Sequence, residues 1–307
     1  MSTTIATEAS AAEEQGMMDE LEAEAALEAL AAAAEAKEKP AKKAAPKKAA
    51  PKPALFDLTS IPGVTITKPR KADTTFSLLL AGLPKSGKTL LAGTANDVEA
   101  LGPVVLLALE DGSSVLARDY PDMAVIEPEN WVQAAAVIEA LAEGDTGYGT
   151  VIVDTLGELQ EHMKDHITEG GTKEMRIQDW GTIKDNTVNV VKMLHRAKIN
   201  VIFITHSEEI RDENTGVSRI QPYLLGKGSL GEVPKIVDII GYLAVSQDKK
   251  TKETFRVLQT GQDGKILAGD RFGKLDYQII DPTMAELFAQ LTSVPGADEA
   301  EDAEEGE

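Results

Sequence analysis

Two kinds of apolar run alternate through the middle of the chain. Short runs of Leu, Val and Ile, "FSLLLAG" (76–82), "PVVLLALE" (103–110), "GTVIVD" (149–154) and "NVIFITH" (200–206), carry almost no polar interruption and predict strands buried on both faces. "MAVIEP" (123–128) predicts a further short strand. Between these runs, "TLLAGTAND", "NWVQAAAVIEALAEG" (130–144) and the stretch from Arg176 to Ala197 place apolar residues at helical spacing. Strand and helix in alternation predict an α/β fold, with a mostly parallel central sheet flanked by helices. From about Val237 the texture changes. "DIIGYLAVSQD", "ETFRVLQTG" and "GKILAGDRFGKL" read as strands joined by turns, a C-terminal β-hairpin region, and "TMAELFAQL" (283–291) reads as a closing helix. No repeat of 20–50 residues is visible.

The ends lack this pattern. Residues 1–54 form an Ala/Glu-rich arm followed by the Lys/Pro/Ala linker "KPAKKAAPKKAAPKPA". Strong helix formers from Met17 to Ala36 have no clean heptad stripe and predict a frayed, solvated helix. The prolines of the linker favour an extended spacer. Residues 293–307 hold seven acidic residues and no basic one, and predict a disordered tail. That leaves 55–292, a single domain with enough length for one core. Of a net charge of -20, the ends carry -3 and -7, leaving -10 on the core. This argues against coating duplex DNA through bulk charge, while leaving room for a local basic channel. The absence of cysteine excludes disulfides and thiolate chemistry. No apolar leader core is present and no apolar run approaches 18 residues, so the expectation is a soluble, cytoplasmic protein without a membrane partner.

The chemistry starts in "SLLLAGLPKSGKTLLAGT", where two glycines and two lysines separate two apolar runs. Gly82-Leu-Pro-Lys-Ser-Gly-Lys-Thr89 fits the phosphate-loop pattern G-x-x-x-x-G-K-[ST], with a strand before it and a helix after. The glycines permit close backbone approach, and successive amides from Ser86 to Thr89 can point at phosphate oxygens. The expected nucleotide-binding set is Gly82, Pro84, Ser86, Gly87, Lys88, Thr89 and Leu90. Lys88 would reach the β- and γ-phosphates of ATP, and Thr89 would ligate Mg²⁺. Asp154, ending a predicted parallel strand, faces the crevice where such folds bind ligands and is the expected partner of Mg²⁺. Glu110 and Asp111 end the second strand, and either can orient a water toward the γ-phosphate.

In order and spacing, the loop, the Glu ending the second strand, "VIVDT" and "FITH" resemble the RecA-like ATPases. The likeness extends to phage-encoded ATP-binding proteins of that class, including Sak-type single-strand annealing proteins, through the strand-ending His, Asp179-Trp180-Gly181 and a C-terminal R-[F/x]-G hairpin, here Arg271-Phe272-Gly273. "GDRFGKL" (269–275) looks like the K-N-R-F-G motif of bacterial RadA, with Gly269 in place of its Lys. The resemblance implies Glu110 as catalytic base and His206 as sensor of the γ-phosphate. It also implies action on single-stranded DNA in recombination, repair or replication, a homo-oligomeric ring or filament, and contact with other proteins of those processes.

Two further expectations concern basic residues. The segment 207–231 reads as a long loop, with Arg211, Arg219 and Lys227 as candidate DNA contacts. Arg271 reads as an arginine finger at a hairpin tip, reaching a neighbouring subunit. The remaining features have plainer readings. His162 and His166 lie four apart on one helix, a zinc-compatible spacing that without a clear third ligand reads as a solvated face. Trp180, Tyr148 and Tyr223 read as packing residues.

Overall fold

The computed structural model describes residues 75–144, 146–211 and 216–293. The arm and linker of 1–54, residues 294–307 of the acidic tail and the side chain of Lys227 lie outside the described residues. The sheet runs in the order β10-β8-β7-β1-β5-β4-β2-β3. Its parallel centre is β1 (Ser77–Gly82), β2 (Val104–Ala108), β3 (Ala124–Ile126), β4 (Thr150–Asp154), β5 (Asn200–Arg211) and β7 (Ile239–Gln247). Antiparallel β8 (Thr254–Gln259) and β10 (Gln278–Ile280) extend one side. The helices are α1 (Lys88–Gly93), α2 (Trp131–Glu143), α3 (Leu156–Thr168), α4 (Ile177–Arg196), α5 (Lys227–Ile236) and α6 (Met284–Thr292). This is the mixed α/β phosphate-loop architecture that the apolar pattern predicts.

Alternate residues of the central strands face opposite ways, and both faces are covered. Leu79, Val105, Val151, Val153, Val201 and Phe203 pack with α2, α3 and α4. Their neighbours Leu78, Leu80, Leu106, Ile152, Ile202 and Ile204 join a second core with α1 and α6. Burial on both faces is why these strands show no polar alternation.

Two expectations need correction. The segment 207–231 is not a long loop. β5 runs five residues past His206, and Ser207–Arg211 pairs antiparallel with β6 (Ser218–Pro222) before α5 begins. This ribbon has polar residues on both faces, so it gives no hydrophobic signal. α5 contains Gly228, Gly231 and Pro234, which intrinsic propensity disfavours, but Val233 and Ser229 are fully buried beneath it. Lastly, "GKILAGDRFGKL" supplies only β9 (Gly269–Asp270), paired with Ile239 and Ile240 of β7. The Asp270 carboxylate then accepts from the amides of Phe272, Lys274 and Leu275, which makes a side-chain-bonded turn where a second hairpin is expected.

A buried glutamine ties the helical layer to the chain after the ribbon. Gln160 on α3 is fully buried. Its Nε2 donates to Thr187 Oγ1 on α4, to the Leu225 carbonyl and to Ser229 Oγ on α5, and its Oε1 accepts from the Leu225 amide at 2.7 Å. Replacing it with an apolar residue strands several polar groups in the core. Gln160→Leu is expected to cost about 2–3 kcal/mol. The check is a urea unfolding midpoint, which should fall clearly below wild type.

Candidate active site

The loop is shaped by close contacts at its two glycines. A Cβ on Gly82 would lie 2.5 Å from the Leu243 carbonyl oxygen of β7. Gly87 has φ 99°, and a Cβ there would lie 2.4 Å from Arg256 Nε. Lys88, which follows, is only 6% exposed. Its Nζ donates to the carbonyls of Gly82 and Leu83, both at 3.0 Å. Burial lowers the Lys88 pKa, and the charges of Asp154 and Glu110 oppose that shift. Ser86 Oγ is buried and has no hydrogen-bond partner among the described residues. Pro84 and Leu90 lie at the surface of the loop and of α1.

Sheet register gathers the predicted residues at one edge. Gly82 pairs with His206, and Ala108 pairs with Asp154. Each therefore sits at the C-terminal side of the parallel strands, where open α/β sheets bind ligands. Thr89 Oγ1 donates to Asp154 Oδ2 at 2.6 Å. Burial raises the Asp154 pKa above the ordinary carboxylate value; the Thr89 hydrogen bond lowers it, Glu110 raises it, and Lys88 and His206 lower it. The amides of Leu109 and Glu110 donate to the Asp154 carbonyl, which ends β2 at Ala108 and turns Glu110 into the site.

Glu110 is held by two groups. Its Oε1 accepts from Thr155 Oγ1 at 2.7 Å and lies 3.2 Å from His206 Nε2. Its Oε2 makes no hydrogen bond among the described residues. Asp111, the other acid at this turn, is exposed. Of the two acids, Glu110 joins the cluster and Asp111 stays outside it.

Two residues of the site carry roles the sequence reading misses. Thr155 caps α3 by accepting from the Glu158 amide at 3.2 Å, while its hydroxyl proton goes to Glu110. The T-x-x-E pattern Thr155 to Glu158 is a helix-start signal that could have drawn attention to it. Arg256, on β8, donates from Nε to the Ser86 carbonyl at 3.1 Å. Its only sequence signal is a lone Arg inside the apolar run "FRVLQ".

Other candidates lie elsewhere. Arg271 is not at a hairpin tip. Its Nη1 donates to Asp238 Oδ1 at 3.0 Å and its Nη2 to the Lys235 carbonyl at 2.7 Å. Asp238 also accepts from the amide and hydroxyl of Ser77, so this cluster lies at the start of β1, about 17 Å along the strand from the loop. Arg211 and Arg219 are exposed on the β5–β6 ribbon, on opposite faces. Trp180 and Tyr223 are about 40% exposed, while Tyr148 packs partly against the core. Among the described residues, no three His, Asp or Glu side chains gather as a metal site around His162 and His166.

The raised Asp154 pKa has a consequence for stability. The folded chain keeps this proton to higher pH than the unfolded chain, so stability is lost as pH rises from the unfolded pKa through the folded one. Asp154→Asn removes that penalty. At neutral pH it should stabilise the nucleotide-free protein by about 0.5–2 kcal/mol. The gain should shrink as pH is lowered, and the variant should bind Mg²⁺–nucleotide more weakly. Denaturation at several pH values, alongside nucleotide titration, checks both.

Among solved structures, the fold is similar to a KaiC-like protein from Pyrococcus horikoshii OT3 (13% identity, 67% of this chain and 89% of that chain, TM-score 0.38). It is also similar to the RadB recombinase (16% identity, 67% and 86%, TM-score 0.40) and to the flagellar accessory protein FlaH from Methanocaldococcus jannaschii (10% identity, 67% and 84%, TM-score 0.36). Likeness at this level carries no functional inference. No curated protein matches the sequence. Among the described residues, no helix is long and apolar enough to cross a membrane. A family model described as an AAA domain matches residues 74–272, from just before the phosphate loop to just past Arg271 and well over half the chain; the protein belongs to this AAA-domain family, AAA_24.

Proposed function

We propose that this chain is a Mg²⁺-dependent ATPase of the RecA-like class that acts on single-stranded DNA. The observation that carries the ATPase reading is the placement of Glu110. Its Oε1 is held by Thr155 and lies beside His206, its Oε2 has no partner among the described residues, and Lys88, Thr89 and Asp154 lie in the same cluster. A carboxylate fixed through one oxygen and open at the other suits orienting a water. Lys88 and the loop amides would hold the phosphates. For that, Nζ would exchange the Gly82 and Leu83 carbonyls for phosphate oxygens, a charge-assisted contact.

The site fits a hard cation. Thr89 Oγ1 and Asp154 Oδ2 are neighbouring oxygen donors, and the unpartnered Ser86 hydroxyl lies in the same loop. Bound there, Mg²⁺ would neutralise charge developing on the phosphoryl group. His206 Nε2 can donate to Glu110 and report through it on the occupancy of the site.

The DNA reading rests on continuity of β5. The strand that carries His206 runs on as the exposed β5–β6 ribbon with Arg211 and Arg219. Arg219 and Lys265 also line an open groove of about 540 Å³ beside α5 and residues 262–267. Few positive charges are available there, so binding should be modest and steeply salt-dependent. This reading keeps the likeness to phage-type single-strand annealing proteins, with roles in recombination, repair or replication and a ring or filament of copies. In such an assembly Arg271 can reach a neighbour's site only by giving up Asp238 and Lys235.

The test is ATP turnover with and without single-stranded DNA. Wild type should hydrolyse ATP with Mg²⁺ and be stimulated by the DNA. Glu110→Gln should still bind ATP while turnover falls by about 10²–10⁴-fold. A normal rate in Glu110→Gln removes Glu110 as base. Tight ATP binding with no turnover under any condition favours a nucleotide-dependent scaffold instead.

A further inference from the structure

We infer that Arg256 is a positioning residue of the phosphate loop, acting from within the same chain. The inference rests on the nucleotide-binding reading above and goes beyond it by assigning a residue that the loop motif does not contain.

The geometry begins with the β7–β8 hairpin. β7 pairs with β1 only as far as Leu243, opposite Gly82, and then runs on to Gln247. Arg256 on β8 pairs with Val245, beyond the end of β1. The hairpin therefore overhangs the loop. The Arg256 backbone is fixed on its other side, where its amide donates to Asp281 Oδ1 and its carbonyl accepts from the Asp281 amide, both at 2.8 Å. From there the side chain turns back, and Nε donates to the Ser86 carbonyl at 3.1 Å. The guanidinium sits so close to Gly87 that a Cβ there would lie 2.4 Å from Nε and 3.2 Å from both Cζ and Nη2.

A planar trans peptide makes this contact informative. The C=O of Ser86 and the N–H of Gly87 belong to one peptide unit and point in opposite directions. Holding the carbonyl outward on Arg256 aims the Gly87 amide to the other side, into the loop, where a phosphate oxygen is to be bound. Among the described residues no other hydrogen bond holds this carbonyl, and Gly87 at φ 99° lacks the side chain that would restrict the peptide. A donor held in place beforehand binds its acceptor without a reorganisation cost. Arg256 makes no ion pair among the described residues, so its charge also remains available to the site.

A residue that orients a binding amide acts on substrate and transition state alike, so its loss should raise KM and leave kcat nearly unchanged. Arg256→Ala should raise the Kd for ADP and the KM for ATP by about tenfold, with kcat within about twofold of wild type. Arg256→Lys should recover part of the affinity, because an ammonium can still donate to the Ser86 carbonyl. The melting temperature of the nucleotide-free protein should stay near wild type in both variants, since Arg256 is exposed. Lys88→Ala serves as the reference for loss of the phosphate site. If Lys88→Ala loses nucleotide while Arg256→Ala binds as well as wild type, the inference is overturned and the nucleotide reading stands. A collapse of kcat with affinity unchanged also overturns it, because that is the signature of a group acting on the transition state alone. If the wild-type protein binds no adenine nucleotide, both the reading and the inference fall.

Discussion

The approach of Gly82 to the Leu243 carbonyl governs the rest of the structure. β1 lies between β5 and β7, and at its last residue it is pressed so closely against β7 that no side chain fits. The chain must leave the sheet there, and it leaves beside His206, the cross-strand neighbour of Gly82. Lys88 then has its ammonium against the carbonyls of Gly82 and Leu83, and Thr89 reaches Asp154 two strands away. Each of these contacts is a consequence of where β1 stops. The cores on the two faces of the sheet serve that end, since they hold the four strands whose tips carry the chemistry in fixed register.

The charges at the edge are mutually dependent. Lys88 is buried and would lose its proton more readily if alone, but Asp154 and Glu110 oppose that shift. Glu110 in turn disfavours the ionisation of Asp154. Glu158, on the first turn of α3, is also raised by burial, with the charges of Glu110 and Glu161 adding to it. Among the described residues the site is thus an acidic cluster around one buried cation, Lys88. A divalent ion bound there would relieve such a cluster.

Much of this was legible in the sequence because the signals were local. The phosphate loop is a contiguous pattern, and Asp154 and Glu110 sit at the ends of apolar runs that can only be central strands. What could not be read has a common cause. The β5–β6 ribbon is polar on both faces, α5 is built from poor helix formers held by burial, and Arg271 finds Asp238 across 33 residues. Arg256 reaches a loop 170 residues earlier in the chain. Hydrophobic periodicity reports burial against a core, and it is silent about contacts made by polar groups far apart in sequence. Thr155 lies between these cases. Its capping role is written in the next three residues, whereas its bond to Glu110 depends on β2 and β4 being neighbours.

That single hydroxyl narrows what position 155 will accept. It gives its proton to Glu110 and receives one from the Glu158 amide, so the residue must be donor and acceptor at once. Serine meets both demands. Aspartate would cap α3 equally well but would set a second negative charge against Glu110, and valine would keep the shape while losing both bonds. The start of α3 and the orientation of Glu110 are therefore a single mechanical unit. A rotation of that helix would strain or break the hydrogen bond that orients the carboxylate.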